Sequence, residues 1–378
     1  MSRHSRRKIG PSAEAPKQGL PISQYPSDPR RKLAGSDAGD SNTTTKKIAA
    51  VRQLGFFLAS LILVGCAGFV AWQGFPFRGG RSRLVLDEIP FNGRRAYSYL
   101  QTICEIGPRP SGSPGMKAQQ EMLTAHFRKL GAEVTLQHFT GIDPRNRAPV
   151  PMAYFIARFF PDRTERILLC AHYDTLPYPL RDRFNPKGRF VGANDGGSGV
   201  AVLMELAHYM DKVPKKLGVD IVFFDAEEFI FSEWDPYFQG SEFFARSYVE
   251  SRQQRKWRYR AAVLIDMVGD ADLQIYQERN SAWWKDSRWI LEGIWATAKR
   301  LGVTEFVPQK KYEIRDDHLA LHNIAGIPAI VIIDFDYPYW HTQEDTPDKC
   351  SPLSLAKVGW VLLEWLSSLD VAKLPPVP

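Results

Sequence analysis

Charge vanishes from the chain between residues 54 and 75. There LGFFLASLILVGCAGFVAWQGF runs for 22 residues without an acidic or basic side chain. A run of that length spans the hydrocarbon core of a bilayer. The 45 residues at the N-terminus have the opposite character, rich in Ser, Pro, Gly, Lys and Arg with few large apolar side chains. Such a segment buries too little surface to offset the entropy of ordering, and it reads as disordered. From about residue 90 the pattern alternates between two periods. Apolar residues at helical spacing run from 115 to 130 and stop at Gly131. Further helical stretches fall at about 198–212, 241–252, 286–301 and 353–369. Strand-like runs occupy 132–139, 153–159, 167–171, 219–224, 261–265 and 327–333. Strands alternating with helices predict an α/β fold with a largely parallel sheet covered on both faces.

Charge refines the picture at the N-terminus. Residues 1–52 hold eleven Lys/Arg against four Asp/Glu, and this surplus equals the net +7 of the whole chain. The remainder is neutral, so the basic balance belongs to the tail and no basic face for nucleic acid is expected. Lys46, Lys47 and Arg52 flank the apolar run and hold the tail (1–52) in the cytoplasm, with 53–75 as a single membrane anchor, 76–89 as a linker and 90–372 as an exported catalytic domain. A lipobox-like Leu63-Val64-Gly65-Cys66 offers a second route to the same membrane, by lipidation of Cys66. The other cysteines, Cys104, Cys170 and Cys350, form no CxxC pair and no zinc-finger spacing; one disulfide among them is open.

The polar residues that carry chemistry sit just past the strand-like runs. The run 167–171 ends at His172 and Asp174, and the run 219–224 at Asp225, Glu227 and Glu228. The run 261–265 ends at Asp266, and the run 327–333 leads to Trp340 and His341. Asp195 lies in the glycine-rich turn GANDGGSG before a helix. In open α/β sheets the carboxyl ends of the strands are where ligands bind. Carboxylates and imidazoles gathered there suit zinc, and adjacent Glu227 and Glu228 can point apart, one to a metal and one to a proton. There is no G-x-S-x-G elbow and no P-loop.

Seven motifs in order, IGPRPSGSPG (106–115), AHYDT, VGANDGGSG, FFDAEE, IDMVGD, DDH and YWHT, make residues 90–372 resemble the zinc aminopeptidase and glutaminyl cyclase superfamily. The resemblance implies a three-layer α/β/α sandwich with a mostly parallel mixed sheet. In the cyclase branch it implies one zinc on Asp195, Glu228 and His341, Glu227 as proton carrier, and Asp266 and Asp316 in its hydrogen-bond network. In the aminopeptidase branch it implies two zincs, with His172 and Asp266 as additional ligands. Trp340 directly before His341, Asp316-Asp317-His318 upstream of it, and Trp234 in the loop after Glu228 favour the cyclase branch, with both tryptophans walling the substrate pocket. A histidine often found eleven residues before the zinc histidine is Ile330 here. The expected reaction is cyclisation of N-terminal glutamine on peptides, with the dinuclear aminopeptidase as the alternative.

Overall fold

The computed structural model describes residues 81–376. The expected tail (1–52), the anchor (53–75) and Cys66 lie outside the described residues. Among the described residues no helix is long and apolar enough to cross a membrane.

Eight strands and eight helices form the domain. In chain order they are α1 (Gly93–Ile106), α2 (Pro114–Lys129), β1 (Glu133–Ile142), β2 (Pro149–Phe159), β3 (Glu165–His172), α3 (Ser198–Leu206), β4 (Leu217–Phe224), α4 (Gln239–Glu250), β5 (Arg258–Asp266), β6 (Ile275–Gln277), α5 (Arg279–Trp283), α6 (Arg288–Leu301), β7 (Phe306–Lys310), α7 (His318–Asn323), β8 (Ala329–Ile333) and α8 (Pro352–Ser367). The main sheet has the order β1-β2-β4-β3-β5-β8, and β6 and β7 form a separate pair. Its four strands β4, β3, β5 and β8 are parallel. The other two are the antiparallel part of the expected mixed sheet: β1 pairs antiparallel with β2, and β2 antiparallel with β4. The physical reason is the connection 143–148, closed by Asp143 N–H to the Ala148 carbonyl at 2.9 Å. It is long enough for a hairpin and too short for the crossover a parallel pair needs.

The sheet is buried on both faces. In β3, Ile167, Leu169 and Ala171 face one core with residues of α1, α2, α3, α6 and α8. Leu168 and Cys170 face the other, with Phe244 of α4 and Leu321 of α7. This period-two partition between two apolar layers is the three-layer arrangement. Hydrophobic runs without polar alternation are what central parallel strands require, and β4 is buried at every position.

Several boundaries differ from the sequence reading. The helical stretch at 198–212 is α-helical only to Leu206 and continues as 3₁₀ helix from Ala207 to Lys212, with a kink at Tyr209. The expected linker, from residue 82 onward, belongs to the domain: Ser82 N–H donates to Glu305 at 3.0 Å, and Ile89 is buried in the core. Beyond residue 372, Leu374 also packs on the core, and its carbonyl accepts from Arg260 at 2.7 Å. Cys104, Cys170 and Cys350 are buried free thiols, so no disulfide joins them.

Candidate active site

Because β4, β3, β5 and β8 run the same way, their carboxyl ends meet at one edge, and the site stands there. β3 delivers His172, β4 leads into Asp225–Glu228, β5 ends at Asp266, and the segment after β8 carries His341. Asp195 comes from the turn before α3. That turn needs glycine: Gly196 has φ +76°, and a Cβ there would lie 2.4 Å from the Asp174 carbonyl oxygen. Three non-glycine residues at the same edge also adopt left-handed backbone, Ala226 (φ 57°), Met267 (φ 45°) and His341 (φ 60°). Such strain persists only where the surroundings enforce it, and it clusters at functional sites. Here it shapes the backbone beside Glu227 and Asp266, past the ends of β4 and β5, and at His341 in the segment after β8.

The candidate metal ligands converge. His341 Nε2 lies 3.2 Å from Glu228 Oε2 and 3.5 Å from Asp195 Oδ2. Burial pulls the His341 imidazole down to about 4, with the Arg181 charge acting in the same direction, so the ring is neutral at physiological pH. A neutral ring is the form that ligates metal. His172 joins the same cluster: one ligand atom each from His172, Asp195 and Glu228 lie within 4.8 Å of one another. His172 Nε2 is 3.1 Å from Asp266 Oδ1 and 3.2 Å from Asp195 Oδ1. Burial disfavours its charged form, but Asp266, Asp174 and Asp195 outweigh that and raise its pKa well above the usual value.

Three positioning devices surround these ligands. Asp174 accepts the N–H groups of Glu227 and Glu228, each at 3.1 Å, and fixes the turn that separates their side chains. Asp345 accepts the N–H groups of Asn194 at 2.8 Å and Asp195 at 3.1 Å, and the Tyr337 hydroxyl at 2.7 Å. Arg109 is fully buried and donates to the carbonyls of Gly107, Val191 and Gly192 at 2.8–3.0 Å, clamping the loop that precedes Asp195. The sequence placed Arg109 and Asp174 inside motifs but without these roles. Asp345, four residues after His341, was missed, because nothing in the sequence around it marks its role.

Glu227 projects toward His172, with Oε2 4.0 Å from Nδ1. Burial raises its pKa well above the carboxylate range, His172 pulls the other way, and Asp316 and Asp317 push further up. Asp316 is likewise raised by burial and then by Asp266. The three expected network members are thus electrostatic neighbours. Among the described residues no hydrogen bond joins Glu227 directly to Asp266 or Asp316; Asp266 bonds His172 instead.

Above His341 opens a cavity of about 300 Å³. Tyr237, Phe238, Ile314, Phe335 and Trp340 line it, with Arg181, Glu233, Glu313 and Arg315 also on the wall. Trp340 sits 4.2 Å from the His341 ring centre and 4.8 Å from that of Phe335. Trp234 does not occupy the wall. Its side chain is 90% exposed, because the loop turns outward at Ser232–Asp235, where Asp235 accepts the N–H groups of Phe231 and Ser232. Tyr237 and Phe238 of the same loop take the place expected for it.

The donor set fits zinc. Asp195 Oδ2 is buried without a hydrogen-bond partner, facing a neutral imidazole and a second carboxylate, and two oxygens and a nitrogen are what a catalytic zinc with one open position takes. Comparison with known proteins agrees with this chemistry. The model of Peptidase family M28 matches residues 155–366. A glutaminyl cyclase of Fimbriiglobus ruber of known structure is 39% identical, superposes with a TM-score of 0.71, and aligns over 79% of this chain and 100% of its own. A Zn-dependent exopeptidase of Parabacteroides distasonis superposes at 0.68 with 28% identity, over 74% of this chain and 99% of its own. The glutaminyl-peptide cyclotransferase-like protein of Bos taurus is 25% identical over 287 residues, covering 68% of this chain and 71% of the relative.

Proposed function

The chain belongs to peptidase family M28, among the relatives that include the glutaminyl cyclases, and from that premise we propose that it converts the N-terminal glutamine of peptides to pyroglutamate with release of ammonia. The observation that carries this reading is the small aromatic-walled cavity directly over His341. Cyclisation joins the α-amine nitrogen to the γ-amide carbon of one residue and breaks that carbon's bond to the leaving nitrogen. It needs the side chain folded back and water kept away, and the aromatic side of this cavity favours both.

In this reading Asp195, Glu228 and His341 hold the zinc, which when bound supplies Lewis-acid polarisation of the γ-amide carbonyl. Glu227 takes the proton from the attacking α-amine and hands it to the departing ammonia. Its raised pKa suits that exchange, because a carboxylate that holds protons more tightly is a better base near neutrality. Asp266 and Asp316 hold the surrounding charge, and Asp174 fixes the backbone on which Glu227 turns. Trp340, Phe335, Tyr237 and Phe238 exclude water. The test is direct: purified enzyme incubated with a Gln-peptide should release ammonia and no free amino acid.

One observation favours a second reading. His172 meets Asp195 and Glu228 in one ligand cluster and lies against Asp266, the set for a second zinc. Two zincs per chain, with release of the N-terminal residue from a Leu-peptide, would identify an aminopeptidase instead. For location, we propose that the uncharged run 54–75 tethers the enzyme to the membrane with the catalytic domain outside the cytoplasm; the preparation should stay with membranes through a high-salt wash.

A further inference from the structure

Two neighbouring loops at the site rim hold large apolar side chains in solvent. Phe184 is 97% exposed and Trp234 is 90% exposed. The loops are tied together by Arg181, whose Nε lies 3.5 Å from Glu233. The Phe184 turn is firmly built. Asp182 accepts the N–H groups of Phe184 at 3.0 Å, Asn185 at 2.9 Å and, from the segment after His341, Gln343 at 3.0 Å. A fully exposed phenyl ring on a braced turn is not a loose end.

The charge around it is positive. Segment 181–189 carries Arg181, Arg183, Lys187 and Arg189 against the single acid Asp182. Among the described residues neither Arg183 nor Lys187, on either side of Phe184, makes an ion pair or hydrogen bond. Of the nearby acids, Glu233 pairs with Arg181 and Glu313 shares the cavity wall with Arg315, while Asp182 and Asp235 are oriented by backbone N–H groups and keep their charge. Glu344, next to Gln343, acts on the Lys349 ammonium.

The entry point of the chain lies on the same edge. Arg81 shares a cleft with Pro338, Tyr339 and Lys349, in the segment that also carries His341 and Gln343.

We infer that this rim docks on an anionic lipid surface, with Phe184 and Trp234 entering the headgroup layer and Arg183 and Lys187 meeting lipid phosphates. Aromatic rings favour the interface and Lys/Arg favour anionic lipid. An acidic peptide would satisfy the cations but would not need two rings raised clear of the surface. Docking would present the cavity mouth along the membrane, toward substrates held there. The inference uses the proposed tether but not the proposed reaction.

The test uses the full chain with Cys66→Ser and Phe184→Cys, labelled at 184 with an environment-sensitive nitrobenzoxadiazole dye; the three other cysteines are buried. In vesicles containing about one third phosphatidylglycerol, emission should rise roughly twofold over pure phosphatidylcholine vesicles, and about 0.5 M salt should reverse the rise. Adding Arg183→Glu and Lys187→Glu should bring emission down to the phosphatidylcholine level. Ammonia release from a short Gln-peptide in detergent should be unchanged in these variants, which controls for folding. Equal emission in both lipid compositions overturns the inference. So does a rise seen only when an acidic Gln-peptide is added to phosphatidylcholine vesicles, which would make the rim a peptide contact. Loss of ammonia release in the unaltered enzyme would sink the proposed reaction and leave the lipid result standing.

Discussion

Arg181 lies over Trp340, its guanidinium carbon 3.9 Å from the indole centre. The backbone of Arg181 is bound to the same segment, its N–H donating to the His341 carbonyl at 3.1 Å. Trp340 is therefore held by Arg181 over its ring and by tilted contacts with the His341 and Phe335 rings. A braced ring of this kind is a pocket wall. Trp340→Ala should lower kcat/KM for a Gln-peptide by about tenfold or more, the cost of losing a buried aromatic contact. Trp283→Ala, at an exposed position, should leave it unchanged. Equal effects at the two sites would remove Trp340 from substrate binding.

Glu227→Gln keeps the size of the side chain and the turn held by Asp174 but cannot accept a proton. Turnover should fall by roughly 10²-fold or more, while zinc content measured by atomic absorption stays at the level of the unaltered enzyme. Near-normal turnover would exclude Glu227 as the proton carrier.

Asp345 supports the candidate metal site from behind, through the N–H groups of Asn194 and Asp195. Asp345→Asn replaces one acceptor oxygen with a donor and forces it against an N–H or the Tyr337 hydroxyl. Zinc affinity, measured by competition with a chelator, should weaken by about ten- to a hundredfold. An unchanged affinity would show that the turn holds Asp195 unaided.

Asp225 gives a pH signature away from the ligands. It accepts the Ser111 hydroxyl at 2.6 Å and the Ala153 N–H at 3.1 Å. Burial, with Asp174 adding to it, pushes its carboxyl up to about 7, against an ordinary value near 4 in the unfolded chain. The folded state thus binds this proton more tightly. The stability it contributes is complete below about pH 4 and is lost as pH rises through 7. Melting curves across that range should show the difference between the parent and Asp225→Asn shrinking with rising pH. A difference independent of pH would mean that Asp225 is ionised in the fold throughout.

Much of this site was legible because its residues lie where apolar runs stop. A strand buried on both faces reads as an unbroken hydrophobic stretch, so the ends at His172, Asp225 and Asp266 could be placed before any coordinates. What could not be read was which strands of the mixed sheet run antiparallel. The antiparallel β1 and β2 follow from a short hairpin connection, and alternation of strands and helices does not report that. The outward turn of Trp234 depends on Asp235 capping its own loop, a local hydrogen bond with no periodic signature. Asp345 and Arg109 act through backbone atoms of distant segments, and such partners appear only once the chain is folded. The short β6, β7 and α7 are too brief to show a period at all.

The first and last helices lie side by side. A Cβ on Gly93 at the start of α1 would meet the Pro352 carbonyl oxygen at 2.2 Å, and one on Gly359 in α8 would meet the Phe91 ring at 2.2 Å. One outer layer of the domain is thus closed by its two most distant helices meeting. A side chain larger than hydrogen at either glycine would hold α1 and α8 apart, so a local change at Gly93 or Gly359 opens the layer that backs the sheet.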